Sequence, residues 1–299
     1  MKQRPCSLPP VPPLAGLSLI VVLFLAAALA PGSRAASDWD ALPDRLTVEQ
    51  GGLFALPLPT AADGLEVQAF GRPIPVHPVG EKSVMLVPAS YHVPAGTYKL
   101  TIRSPEADHI ILVEVKARAF PVQALVVPPS TEQLVRPEDP AALERKELEA
   151  RKVAASRQRS AERPLWDGPF VWPVRGRITS DFGLIRTVNG EPNGRHSGLD
   201  IAAPEGTPVV AANGGVVVLA ENHMTTGNTV IIDHGWRLST SYLHLSEILV
   251  KEGQRVAKGE VVGRVGATGF ATGPHLHWAA NLDGVFVDPR ALIDGALDF

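Results

Sequence analysis

A mostly β protein with one helical connector is the fold that this 299-residue sequence predicts, on three observations. Short runs with strand-like alternation, separated by Gly, Pro and Asn, recur through residues 46–127 and again through 165–299. Only residues 141–161 form a long stretch rich in Ala, Glu, Arg and Lys and free of Gly and Pro. A hydrophobic share of 45% is enough for packed cores, and the length suits roughly two domains at ~100–200 residues each.

In residues 1–35, Lys2 and Arg4 precede an apolar run from about Leu14 to Ala30, and Ser33-Arg34-Ala35 follows in small-x-small form. A cleaved secretory signal peptide is expected, because the run is shorter than the ~20 residues of a comfortable membrane span. Cys6, the single cysteine, precedes the run instead of following it, so a lipoprotein anchor is not expected. One cysteine also excludes a disulfide framework and a thiolate zinc cluster. The expectation is an exported protein of the periplasm or cell envelope with no stable membrane anchor. Cleavage would remove Lys2, Arg4 and Arg34 and no acid, making the formal charge of −3 more negative. No basic field remains to hold nucleic acid.

Residues 36–128 read as a small antiparallel β-sandwich, with strands expected at 53–58, 65–70, 83–87, 97–103 and 109–116. Tyr98, Leu100 and Ile102 alternate with polar neighbours, and Pro94-Ala95-Gly96 is turn chemistry. No cluster of catalytic residue types occurs there, so an accessory or spacer role is expected. Residues 129–164 form a linker. Asp139 followed by Pro140 is an N-cap with proline at the first helical position, and Glu147 lies four residues before Arg151. Leu143, Leu148 and Val153 are too sparse for a coiled-coil seam, so a solvated helix ended by Pro164 is expected.

Residues 165–299 return to strands, expected at 207–212, 215–220, 229–233, 238–243, 261–265 and 275–281. Six of the nine histidines lie here: His196, His223, His234, His244, His275 and His277. His275 and His277, two apart on a strand, share one face, with Leu276 and Trp278 on the other. His196 and Asp200 stand four apart, but Gly198 and Pro204 argue for an extended segment over a helix. A catalytic zinc site takes three protein ligands and leaves a position for water. His196, Asp200, His244, His275 and His277 exceed that number, and spacing leaves open which of them are ligands. Of the rest, His234 is expected at a hairpin corner, His223 in a solvated loop, Asp233 in a turn or behind a ligand imidazole, and Trp172, Phe182 and Trp278 in the core.

The segments RITSDFG (177–183), GRHSGLDIAAPEGTPV (194–209), TVIIDHG (229–235), YLHLS (242–246), VKEGQRVAKGEVVGRVGATG (250–269) and TGPHLHW (272–278) stand in this order. Together they resemble the lysostaphin-like, LytM-type zinc metallopeptidases of bacterial cell walls over roughly residues 170–289. The resemblance implies a compact antiparallel β assembly, of barrel-sandwich hybrid type, with its site in a groove. It implies Zn2+ held by His196, Asp200 and His277, with His244 and His275 in catalysis, and hydrolysis of a peptide bond in peptidoglycan peptides. No position of the motif set is missing, unlike in the family's degenerate members that only activate amidases; a non-catalytic wall-binding or amidase-activating protein is the alternative. Residues 250–265 also look like the barrel of biotin- and lipoyl-carrying domains, with Lys258 at a hairpin turn, but that role leaves the histidine cluster without a purpose. The domain order further suggests that the sandwich and linker cover the groove until displaced.

Overall fold

The computed structural model describes residues 38–105 and 107–297, so the expected signal peptide and Cys6 lie outside the described residues. A 3-10 turn at Asp38–Ala41 leads into nine strands: β1 (Arg45–Glu49), β2 (Leu53–Leu58), β3 (Glu66–Ala69), β4 (Arg72–Ile74), β5 (Val76–Val79), β6 (Lys82–Pro88), β7 (Gly96–Arg103), β8 (Asp108–Lys116) and β9 (Val122–Leu125). The first eight make two sheets, β1-β8-β7-β3-β4 and β2-β6-β5. Their inward residues, among them Leu58, Met85, Leu100, Ile102 and Val113, form one apolar cluster. The sandwich is mixed and not purely antiparallel, because β1 runs parallel to β8. The two are joined through the whole module instead of by a hairpin, so no tight turn forces them to oppose.

β9 leaves this module and pairs in parallel with β11 (Ile185–Val188), whose other neighbour is β12 (Glu191–Arg195). Between them in sequence lie β10 (Arg177–Ser180) and two helices, α1 (Pro129–Glu132) and α2 (Pro140–Gln158). Asp139 caps α2 by accepting the Ala142 N–H at 2.9 Å, with Pro140 in the first turn. The helix is less solvated than its composition suggests. Leu143 and Leu148 face solvent, but Ser156 is buried and Val153 packs on Val218, Leu219 and Ile231. It also ends before residue 161, because Asp233 accepts from the Ser160 hydroxyl at 2.6 Å and the Ala161 N–H at 3.0 Å, drawing the chain out of the helix.

The remaining strands are β13 (Leu199–Ala202), β14 (Pro208–Val210), β15 (Gly215–His223), β16 (Gly227–Asp233), β17 (Leu238–Leu245), β18 (Glu247–Ile248), β19 (Arg255–Val256), β20 (Val261–Arg264), β21 (His275–Leu282) and β22 (Val285–Val287), followed by the short helix α3 (Arg290–Ile293). The main sheet runs β10-β13-β21-β17-β16-β15-β19, with β22 beside β21, and all its pairings are antiparallel. Its two faces differ. Ile201, Val230, Ile232, Tyr242, Leu276 and Trp278 point into the core, where Leu53, Val84 and Leu86 from the sandwich join them. Arg118 pairs with Asp288 at 2.8 Å and His77 stacks on Trp236 at 4.5 Å, both across the same contact. No helix among the described residues is long and apolar enough to cross a membrane.

Candidate metal centre

The site is built on the outward face of β13 and β21. Asp200 and His277 are direct cross-strand partners, so their side chains rise together from the sheet. His196 comes from the segment leading into β13 and must fold back over the same spot. Gly198 permits this, because a Cβ there would lie 2.3 Å from the Trp278 carbonyl oxygen. Three atoms then converge. Asp200 Oδ1 is 2.8 Å from His196 Nε2 and 2.8 Å from His277 Nδ1, and the two nitrogens are 2.9 Å apart. All three side chains are buried.

Hydrogen bonds behind these atoms decide what they can hold. His196 Nδ1 donates to the Asp181 carbonyl at 2.6 Å, so the neutral ring carries its lone pair on Nε2, aimed at a carboxylate oxygen. Two such acceptors at that distance repel unless a proton or another electrophile sits between them. Burial would push the Asp200 carboxyl upward, but protons on His196 and His277, in hydrogen bonds to it and as charges beside it, outweigh burial and hold it well below the usual range; a cation shared by the three atoms takes the place of those protons. Burial first of all lowers His277, to about 4, so its ring stays neutral at pH 7. Asp200 Oδ2 is taken by Arg186 Nη2 at 2.7 Å, leaving Oδ1 for the centre. Arg186 in turn donates to Gln123 at 2.9 Å, and Gln123 donates to Ser180 at 2.8 Å. Two imidazole nitrogens and one carboxylate oxygen are a donor set that suits zinc.

His244 and His275 stand beside the three. Plain alternation along β17 would send Leu243 and His244 to opposite faces, yet both line the same 170 Å³ hollow with His196 and His277. The register of β16 and β17 shifts here, and His244 adopts φ 63°, a conformation that costs a non-glycine residue ~1–3 kcal/mol and turns its ring to the site. His244 Nδ1 donates to the Thr268 carbonyl at 2.8 Å, and His275 Nδ1 donates to the Gly273 carbonyl at 2.8 Å. Both rings therefore present Nε2, and that of His275 lies 3.7 Å from Asp200 Oδ1. The two ring centres are 4.9 Å apart. Burial, then the neighbouring histidines, lowers His244 to about 3, so it too is neutral at pH 7. A second hollow of 340 Å³, lined by Gln123, Thr179, Asp200, Pro274 and His275, also borders Asp200.

All five residues singled out from sequence thus come together. Gln123 and Arg186, which set the carboxylate, had no signal in the spacing. Two expectations for other residues are corrected. His223 is buried on β15 and donates to Glu221 at 3.0 Å instead of lying in a solvated loop. Trp172 is 39% exposed, above the buried Trp278, and is not core. Lys258 donates to the Asp167 and Pro169 carbonyls, which fits setting the carrier reading aside. His234 is buried, its Nδ1 donating to the Gly214 carbonyl at 2.7 Å, and Asp233 serves the turn by accepting the Gly235 N–H at 3.1 Å.

The model of peptidase family M23 matches residues 194–289, which contain all five. The peptidoglycan DD-endopeptidase ShyA of Vibrio cholerae is 54% identical over 113 residues, which are 36% of this chain and 26% of that protein. The cell division protein DipM of Caulobacter vibrioides is 40% identical over 131 residues, 44% of this chain and 21% of that protein. The chain thus spans about a quarter of the length of these curated relatives. Among solved structures, a Pseudomonas aeruginosa crystal structure whose description assigns it to peptidase M23 aligns with TM-score 0.62 at 32% identity, covering 82% of this chain and 93% of that one.

Proposed function

This chain belongs to peptidase family M23, and on that premise we propose that it is an exported zinc-dependent endopeptidase that hydrolyses peptide bonds in peptidoglycan, its cross-links or its stem peptides. The observation that carries the reading is the convergence of His196 Nε2, Asp200 Oδ1 and His277 Nδ1, with the tautomer of His196 set by a main-chain carbonyl. The names of ShyA and of ShyC, a second Vibrio cholerae relative described as a peptidoglycan DD-endopeptidase, support the substrate class.

His196, Asp200 and His277 would hold the ion, which would supply Lewis acidity toward the scissile carbonyl and make a water easier to deprotonate. The two remaining histidines manage the proton. His244 and His275 each carry a lone pair on Nε2, so either accepts a proton from the attacking water, and a protonated ring then donates to the developing oxyanion or the leaving amine. The Thr268 and Gly273 carbonyls fix both rings, so no reorientation is needed during the reaction. Arg186 keeps Asp200 aimed by occupying its Oδ2 at 2.7 Å.

Purified peptidoglycan sacculi incubated with the zinc-loaded protein at neutral pH should release uncrosslinked or shortened muropeptides, read by mass spectrometry. His277→Ala should release none. Unchanged sacculi with the zinc-loaded protein would refute the proposal.

A further inference from the structure

Helix α2 lies over the same sheet face that carries His277. Buried side-chain atoms without a hydrogen-bond partner gather on this face: Arg157 Nε on the helix, and Ser239 Oγ and Asn281 Nδ2, which sit on cross-strand partners of β17 and β21. Of these three, only Arg157 borders a hollow that a ligand could enter.

Arg157 is the charged member of this group. Its guanidinium lies 4.9 Å above the Phe286 ring, and its one side-chain hydrogen bond among the described residues is a long one, 3.4 Å from Nη2 to Ser241 Oγ. No carboxylate among the described residues forms an ion pair with it, although Arg145, Lys152 and Arg159 on or beside the same helix all have acidic partners. A half-buried guanidinium without an anion keeps its forked donors free, and these match a carboxylate. It borders a 190 Å³ hollow whose walls are mainly apolar, from Val153, Ile231, Leu243, Ala279 and Phe286, with Ser197 and Ser241 also lining it. Ser197, Thr226 and Leu243 are shared with the hollow that holds His196, His244 and His277, so the two spaces adjoin. Ser197 Oγ lies 3.4 Å from His277 Nε2. Leu243 pairs with His277 across the sheet, and Ser241 is two residues further along β17. At ~3.4 Å per residue that is ~7 Å, the span of two extended residues.

We propose that Arg157, at the rim of this mainly apolar hollow, forms a carboxylate-binding subsite, which receives a free carboxylate of the substrate peptide about two residues from the bond being cut while the peptide's apolar side chain fills the hollow. This rests on the peptidase reading and adds a specificity determinant from outside the residues that match the family.

The test is calorimetric titration of the zinc-loaded full chain with N-acetyl-D-alanyl-D-alanine and with its C-terminal carboxamide. The wild type should bind the acid at least tenfold more tightly than the amide. Arg157→Gln should bind both alike, Arg157→Lys should recover part of the preference through its charge, and Ser241→Ala should reduce it about threefold. Equal binding of acid and amide by the wild type would overturn the subsite, with no variant needed. Equal loss for both ligands in Arg157→Gln would make the residue a structural prop, and faster cleavage of both would make α2 a cover; either outcome overturns it. Preference for the acid without any cleavage of sacculi would refute the peptidase reading and leave the subsite standing.

Discussion

The N-terminal sandwich and the main sheet use the same strand geometry but bury different things. Between residues 45 and 116, Ser83 is the one buried polar side chain among the described residues, and its hydroxyl donates to the Thr60 carbonyl at 2.8 Å. The outward face of the main sheet buries Asp200, Thr229, Ser239, Ser241, His277 and Asn281. Burying polar groups costs free energy unless each finds a partner, so the first region is shaped by packing and the second by what it binds.

Substitutions should separate the two regions sharply. Asp200→Ala removes the oxygen that both imidazoles face. It should abolish zinc binding, measured by metal analysis, and lower sacculus hydrolysis by at least ~10³-fold. Leu100→Ala, in the sandwich core, should cost ~2–5 kcal/mol of stability in denaturant unfolding and leave the zinc content at one ion per chain. Should Leu100→Ala release zinc from the folded protein, the division of labour is false.

Arg186→Ala should fall between these. It frees Asp200 Oδ2 without touching a ligand atom and removes the support of Gln123. Zinc affinity, read by competition with a chelator, should drop ~10–100-fold. Because Gln123 sits on β9, which precedes the residues matching the family, Gln123→Ala should show a smaller loss of the same kind.

The comparison also explains what could be read without coordinates. Strands with clear alternation, such as β7 with Tyr98, Leu100 and Ile102, were legible, and so were the His-x-His pair of β21 and the His and Asp ahead of it. β12 was not, since Glu191-Pro192-Asn193-Gly194-Arg195 has no apolar alternation and holds its place only by pairing with β11. The parallel β1–β8 and β9–β11 pairings were hidden because nothing local encodes a partner distant in sequence. The left-handed φ of His244 was hidden because a bulge depends on the facing strand. Gln123, Arg157 and Arg186 read as ordinary polar residues until the fold supplies their neighbours.

A pH series sharpens the contrast through His234, which is buried away from the metal centre. Burial lowers its pKa from 6.5 to about 4. Between those values the unfolded ring binds a proton and the native ring does not, so stability is complete above pH 6.5 and is lost as pH falls toward 4. The loss over that window is about 3 kcal/mol. His234→Gln should be less stable than wild type at pH 7.5, lacking the bonds to Gly214 and Thr240. Its unfolding midpoint should then change less between pH 7.5 and 4.5. Parallel pH dependence in the two proteins would show that the ring is not held neutral.

The smallest effect belongs to the cap of α2, the element that joins the two kinds of region. Asp139 accepts the Ala142 N–H, one of the first-turn donors that the helix cannot satisfy itself, so Asp139→Ala should cost ~0.5–2 kcal/mol. Glu147→Ala removes a pair with Arg151 that is 3.9 Å long and exposed at both ends, and should cost under ~0.5 kcal/mol. The order of these two is itself informative. The cap anchors the end of α2 far from Ser156 and Arg157, so if the helix is held chiefly by its buried C-terminal turns, Asp139→Ala should fray only the first turn, seen as faster amide exchange at residues 141–144, with exchange at 153–157 unchanged. Faster exchange along the whole helix would mean that α2 depends on its cap and not on the sheet face beneath it.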